Sequence, residues 1–104
     1  MPKYILAYHG GGKPETEAEG RKVMQQWQDW LADLGPKCLD EGNPVGLSKT
    51  VSAEGIADNG GANPLSGYSI VEAADVAEAC EMAKACPILD GGKGSVEVAP
   101  IIEM

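Results

Sequence analysis

The last third of the chain, Gly67 to Ile102, is the feature that most constrains the fold. It opens with a compact strand signal over Tyr68–Glu72. An alanine-rich helix is predicted over Val76–Ala85 after the capping pair Asp75 and Glu78, and Pro87 ends it because proline cannot continue a helix. The alternating segment Ser95–Ile102 predicts a closing strand. These elements predict a strand–helix–strand unit of the kind from which α+β domains are built.

The N-terminal third predicts a second strand–helix unit. Residues 3–9 alternate as a strand does, and the glycines at 10–12 break it. Thr16 and Glu19 form a capping box in front of a helix predicted over 17–34. Gly35 and Pro36 end that helix. The strand places Tyr4, Leu6 and Tyr8 on one face and Ile5, Ala7 and His9 on the other.

The middle of the chain, residues 37–66, is the least patterned part. Its portion Val45–Ala53 is compatible with a strand weakened by Gly46. Residues 54–64 are rich in Gly, Asn and Ala, which predicts a loop. The strand pairing in this part is left open.

The element order predicts one α+β domain over residues 1–104, a ferredoxin-like sandwich. Helices on one face of a sheet leave the other face bare, and strand residues on both faces are largely apolar, as Leu6 and Ile5 illustrate. We therefore expect a second copy to cover the bare face. A symmetric homodimer would close two sheets into a dimeric α/β barrel.

Charge and cysteine content restrict the classes of partner. The net charge is −8 and the eight basic residues are scattered, which argues against nucleic acid and against an anionic membrane surface. No apolar run approaches the ~20 residues that span a bilayer, and the N-terminus lacks the features of a signal peptide. The odd set of Cys38, Cys80 and Cys86 is therefore expected to remain as reduced thiols in the cytoplasm.

Metal and cofactor motifs are not recognised in the sequence. One histidine and no paired thiols make a poor ligand set, so no metal site is predicted. The glycines at 10–12 and 91–92 lack the Lys-Ser/Thr context of a phosphate loop and the order of a dinucleotide site, so we interpret them as turns and expect no cofactor.

Short motifs along nearly the whole chain resemble the YCII-related (DGPF) domain family. They are the N-terminal Lys3-Tyr4-Ile5-Leu6-x-Tyr8, the helix end Leu31-Ala32-x-Leu34-Gly35, the strand Gly67-Tyr68-x-Ile70-Val71, Cys86-Pro87, and Gly94-Ser95-Val96-Glu97-Val98-x-Pro100-Ile101. The resemblance implies a dimeric α+β barrel. It also implies a relation to enzymes of aromatic-compound breakdown, such as dehydrochlorinases, or to proteins that accompany sigma factors.

The chain departs from the family at the residues that carry its chemistry. The family's enzymes are thought to use a His–Asp dyad, and the resemblance puts Met24 near the first position and Cys86 at the second. Asp58-Asn59-Gly60 stands where the Asp-Gly-Pro-Phe signature of the other branch would lie. The resemblance therefore transfers no catalytic residue.

His9 is the catalytic candidate that the residues themselves suggest. It is the sole imidazole, and it lies where a strand enters a glycine-rich loop, a suitable place for a general base. Asp58 is its candidate partner, with Asp90 as another loop carboxylate. A strand-end residue that hydrogen-bonds to a loop would explain His9 equally well.

The candidate ligand-binding residues are Tyr8, Trp27, Tyr68 and Cys86. Trp27 and Trp30 share one helix face, so they are expected to pack in the core or at a dimer contact, or else to wall a binding site. Tyr8 and Tyr68 would present their hydroxyls to one cavity or pack in the core. Cys86 lies at a helix C-terminus, where the dipole disfavours a reactive thiolate.

Two hypotheses of function remain. The first is a pocket for an unknown small organic molecule, with any catalysis being proton transfer or elimination that involves His9. The alternative is a non-enzymatic binding or regulatory module that serves a transcription partner.

Overall fold

The computed structural model describes residues 1–11 and 15–104, and Gly12, the last glycine of the predicted strand break, lies outside them. The described residues form a mixed α+β protein with six strands and two helices. In chain order these are β1 (Lys3–Gly10), α1 (Glu17–Leu34), β2 (Cys38–Asp40), β3 (Thr50–Ser52), β4 (Gly55–Ala57), β5 (Leu65–Glu72), α2 (Val76–Ala83) and β6 (Gly94–Pro100). Short 3-10 segments follow each helix, at Gly35–Lys37 and Pro87–Gly92.

Both helices begin where the sequence predicts. The Thr16 hydroxyl accepts a hydrogen bond from the Glu19 amide at 3.1 Å, and Asp75 accepts one from the Glu78 amide at 2.9 Å. Each cap satisfies a backbone donor that the first helical turn leaves unpaired. Gly35 ends α1 with a φ of 59°, a value that favours glycine.

The main sheet is four-stranded and antiparallel in the order β2–β5–β1–β6. Its central strand β1 pairs with β5 on one side and with β6 on the other. Leu6 lies opposite Ser69 of β5 and opposite Val98 of β6. Directly opposite residues project to the same face, so the alternation along β1 sets both faces of the sheet.

One face, here called the covered face, packs against both helices. Tyr4, Leu6 and Tyr8 of β1 lie there and are at most 5% exposed, which confirms the predicted alternation. They join Val71 of β5, Trp30 of α1, Ala79 and Ala83 of α2, and Cys86, which lies between α2 and the second 3-10 segment. The alanines of α2 allow that helix to approach closely, and the large side chains come from β1 and α1.

The other face, here called the open face, has no helix above it. Its residues are Lys3, Ile5, Ala7 and His9 of β1, Tyr68, Ile70 and Glu72 of β5, and Ser95, Glu97 and Ala99 of β6. Ile5, Ile70 and Ala99 lie in one row across three strands and are only half-buried. The open face therefore carries an apolar centre that the described residues leave uncovered.

The middle of the chain differs most from the sequence-based expectation. The prediction missed β2, whose short pairing with β5 is interrupted between Cys38 and Asp40. Only Thr50–Ser52 of the possible strand 45–53 is extended and paired. The predicted loop 54–64 is wrong in its first part, because Gly55–Ala57 forms β4.

The strands β3 and β4 form a separate two-stranded sheet, with Val51 opposite Ile56. Every residue from 49 to 59 is exposed, and we call this segment the arm. Val51 is 74% exposed and Ile56 is 70% exposed. Neither α1 nor α2, both fully described, is long and apolar enough to cross a membrane.

Candidate functional site

A cleft of about 1250 Å³ lies between the first part of α1 and the adjoining end of the main sheet. Tyr8 and Gly67 line it on the side of the sheet, and Trp27 lines it on the side of α1. Ile88 of the second 3-10 segment forms part of a further wall. Val23 and Met24 of α1 also line it and remain 39% and 63% exposed. The apolar side chains of α1 therefore pack into the core only in the second part of the helix.

An aromatic cluster forms the inner end of the cleft. The ring centroids of Tyr8 and Trp27 lie 4.9 Å apart with an edge-to-face geometry, and Trp30 lies 5.7 Å from Trp27. Trp30 is in the core and donates its indole N–H to the Met82 carbonyl at 3.1 Å. Trp27 is half-buried and borders the cleft. One tryptophan therefore packs in the core and the other is placed to contact a ligand.

Gly67 lies beside Tyr8, where a side chain would be crowded. A Cβ atom at this position would lie 3.3 Å from the Tyr8 ring and 3.1 Å from the Asn43 carbonyl oxygen, so its neighbours would have to shift by a few tenths of an ångström. Glycine therefore allows the Tyr8 ring and the β5 backbone to approach closely at the end of the cleft.

The Tyr8 hydroxyl is engaged in the core. It donates to the Ser69 hydroxyl at 2.7 Å, and Ser69 donates in turn to the Glu41 carbonyl at 2.7 Å. Burial raises the pKa of Tyr8 above its usual value, while the Ser69 hydrogen bond lowers it. Tyr8 thus lines the cleft as an almost fully buried ring, with its hydroxyl committed to Ser69.

Tyr68 and Cys86 are less well placed than Tyr8 and Trp27 to contact a ligand in the cleft. Tyr68 borders the cleft, but the alternation along β5 directs its side chain to the open face. Cys86 is 1% exposed and packs in the core. Burial raises the pKa of its thiol to about 11, so the neutral thiol is favoured and the group is a poor nucleophile.

His9 lies on the open face and has hydrogen-bond acceptors at both ring nitrogens. Nε2 lies 3.0 Å from Oε1 of Glu97, and Nδ1 lies 3.0 Å and 3.3 Å from the carbonyl oxygens of Asn63 and Pro64. Its side chain is 12% exposed. Carbonyl and carboxylate oxygens only accept, so all these contacts are hydrogen bonds together only when the ring carries two protons.

The carboxylate beside His9 is Glu97, whereas Asp58 lies in the arm. Asp58 forms an exposed ion pair with Lys49 at 2.8 Å. Glu97 comes from β6 and lies two residues after Ser95, the residue directly opposite His9. The sequence places these two residues 88 positions apart, and only the β1–β6 register brings them together, so the sequence-based reasoning missed Glu97.

Residues 1–11 and 15–104 hold no group of three or more His, Cys, Asp or Glu side chains arranged to bind a metal ion. The chain matches no known family model, and no curated protein matches it.

Proposed function

We propose that the chain is a cytoplasmic, homodimeric, YCII-like protein that binds a small, largely apolar organic molecule in the cleft. One observation carries the proposal: the edge-to-face pair of Tyr8 and Trp27 ends a concave space whose other walls include Val23, Met24 and Ile88. Ligand sites for small molecules are concave and mostly apolar, with a few polar groups that set orientation. Aromatic edges carry partial positive charge and pack well against the face of a planar ligand.

The fold proposed with this function is a ferredoxin-like sandwich whose open face meets a second copy in a dimeric barrel. The order β2–β5–β1–β6 supports it, because the first and fourth strands of the main sheet are neighbours and the third lies between the first and the second. The covered face, which packs against both helices, supports it as well. The half-buried row of Ile5, Ile70 and Ala99 supports the second copy.

The two tryptophans provide a direct test of ligand binding. We expect aromatic acids, phenols and heteroaromatic fragments, screened by NMR, to shift the indole N–H resonance of Trp27. The resonance of Trp30 is the internal control, because its indole is bonded to Met82 in the core. Fragments that shift neither resonance, or that shift both equally, would contradict binding in the cleft.

Two methionine variants locate the binding. Met24→Ala removes an exposed side chain from the cleft wall, and Met104→Ala removes one from the C-terminus, 118% exposed. Loss of one apolar contact predicts roughly fivefold weaker binding for Met24→Ala. Met104→Ala should bind as the unchanged chain does. Equal affinities for the two variants would place the ligand elsewhere.

Proton transfer or elimination is a second candidate function, and the 3.0 Å contact between His9 and Glu97 favours it. A second copy on the open face would enclose this pair and exclude water from it. His9 lies on the open face and does not line the cleft, so this function needs a substrate bound beside His9 at the interface with the second copy. If such a substrate is turned over, His9→Gln should abolish turnover and leave the binding constant unchanged, whereas unchanged turnover would remove His9 from the chemistry.

The competing proposal is a non-enzymatic binding or regulatory module that serves a transcription partner. Two observations support it. Both ring nitrogens of His9 lie within hydrogen-bond distance of oxygen atoms of the chain, and His9 does not line the cleft. In this case the ligand is bound and released unchanged, and His9 fastens the loop before β5 to β6. Mass spectrometry of the fragment before and after incubation separates the two functions.

A further inference from the structure

The arm is the part of the chain that is least explained by contacts within one copy. Residues 49–59 are all exposed, and only three residue pairs join β3 to β4. An ion pair between Lys49 and Asp58 and a 2.7 Å hydrogen bond from Thr50 to the Asn59 carbonyl close its base. An isolated two-stranded hairpin is at best marginally stable in water.

The arm presents apolar side chains to solvent. Val51 and Ile56 face each other across the two strands, and Leu47 at the base of the arm is fully exposed. Between Thr50 and Ala57 the sole charged residue is Glu54. An exposed hairpin with apolar side chains and few charges is prone to pair with another chain. The composition of the arm is therefore typical of a segment that packs against another protein surface.

We propose that each arm docks on a second copy of the chain and completes the homodimer interface. This inference rests on the homodimer proposed above and adds the arm as the element that clasps the partner. A twofold interface is isologous, so both copies contribute an arm and both receive one.

The open face alone is smaller than the surface that a stable dimer buries, so a further element must contribute to the interface. Four strands spaced about 4.8 Å apart, with a rise of about 3.4 Å per residue, give the open face a footprint of about 450 Å². A stable interface buries about 800 Å² on each partner. Burying Val51, Ile56 and Leu47 adds about 250 Å². With the arm the interface approaches the size that a stable dimer needs.

The His9–Glu97 pair of the open face is hydrogen-bonded within one copy, and the charged residues Lys3 and Glu72 lie at the end of that face, where a partner can leave them in solvent. Glu97 and His9 satisfy each other at 3.0 Å, and the remaining contacts of His9 go to the Asn63 and Pro64 carbonyls. Buried polar groups are tolerated when they are hydrogen-bonded. The net charge of −8 disfavours nucleic acid as the occupant.

The test compares two identical substitutions at exposed valines. Val51→Asp places a charge on the arm, whereas Val76→Asp places one at the first turn of α2, where the helix dipole favours an acid. Sedimentation equilibrium should give a dimer for the unchanged chain. The dimer dissociation constant should rise roughly 30-fold or more for Val51→Asp and stay within about threefold for Val76→Asp. Replacing residues 49–58 by two glycines should have an effect at least as large as Val51→Asp.

Each other outcome overturns a defined part of the account. A dimer that Val51→Asp and the arm deletion leave intact would overturn the arm as a clasp, while the homodimer would stand. A monomeric unchanged chain would overturn both the arm as a clasp and the homodimer. Equal weakening by Val51→Asp and Val76→Asp would show that added charge, and not the arm, controls association. Circular dichroism confirms that each variant keeps its secondary structure.

Discussion

The two faces of the main sheet are built from the same strands but differ in how deeply their side chains are buried. On the covered face, Leu6 and Val71 are fully buried beneath the helices. On the open face, the neighbouring residues Ile5 and Ile70 are only half-buried. Because successive residues of a strand alternate between faces, the difference arises from what lies above each face and not from the strand sequence. The covered face is satisfied within one chain, and the open face is not.

The largest difference between the faces is expected from adjacent alanine substitutions. Leu6→Ala creates a cavity on the covered face and should lower the free energy of unfolding by about 3 kcal/mol at every protein concentration. Ile5→Ala should cost little at concentrations where the chain is monomeric and more where it is dimeric, because a second copy buries Ile5. Urea unfolding at two concentrations measures both. A cost for Ile5→Ala that is large and independent of concentration would contradict the comparison.

A second prediction concerns the polar contact inside the covered face. Ser69 is 0% exposed, and its hydroxyl links Tyr8 to the Glu41 carbonyl. Ser69→Ala leaves both partners unsatisfied and should lower stability by about 2 kcal/mol. The double variant with Tyr8→Phe should cost less than the sum of the two single variants, since it removes one of the stranded groups. Strict additivity would mean that the hydrogen bond contributes no coupling.

A third prediction uses the pKa of Cys86. The thiol has a pKa of about 11 in the folded chain instead of 9.0, so the unfolded chain loses this proton first as the pH rises. The contribution of the buried thiol to the free energy of unfolding should therefore be fully present below about pH 9 and should be lost as the pH rises toward about 11. Burial also raises the pKa of Tyr8, so Tyr8 adds to the loss of stability at pH values above its usual pKa of 10.0. Cys86→Ala should flatten the first part of this decline in thermal unfolding scans, and an unchanged decline would contradict burial of the thiol.

The smallest expected effect comes from an ion pair outside both faces. Lys37 donates to Glu78 at 2.9 Å and holds the pKa of this carboxyl below its usual value. The pair should therefore stabilise the fold at neutral pH, and this contribution should be lost as the pH falls through the folded-state pKa of Glu78. Both side chains are more than a third exposed, so the effect is small and is screened by salt. Lys37→Met should reduce the acid-induced loss of stability slightly, and an increased loss would contradict this assignment.

Much of the covered face could be predicted from the sequence. The alternation at residues 3–9, the caps Thr16 and Asp75 and the stop at Pro87 are local signals, and each acts within a few residues. The strands β2, β3 and β4 were missed or misplaced because each has three residues, too few to show a period. Their pairing is fixed by contacts that the local sequence does not contain.

The candidate site could be predicted only in part for the same reason. Tyr8 and Trp27 were recognised as aromatic residues on apolar faces, and both line the cleft. The sequence could not supply the partner of His9, because Glu97 reaches it through the β1–β6 register. It also could not separate Tyr8 from Tyr68, which the chain directs to opposite faces of the sheet. Side chains that meet across strands need the register before they can be paired.

The most direct test of the difference between the faces is an isotope-filtered NOE experiment on a sample that mixes labelled and unlabelled copies. The account predicts contacts between copies from the methyl groups of Ile5 and Ile70 on the open face and none from Leu6 and Val71 on the covered face. The four residues come from two adjacent strands, so each open-face methyl has a covered-face neighbour as its control. Intermolecular contacts from Leu6 and Val71, or none from Ile5 and Ile70 in a sample shown to be dimeric, would contradict the account.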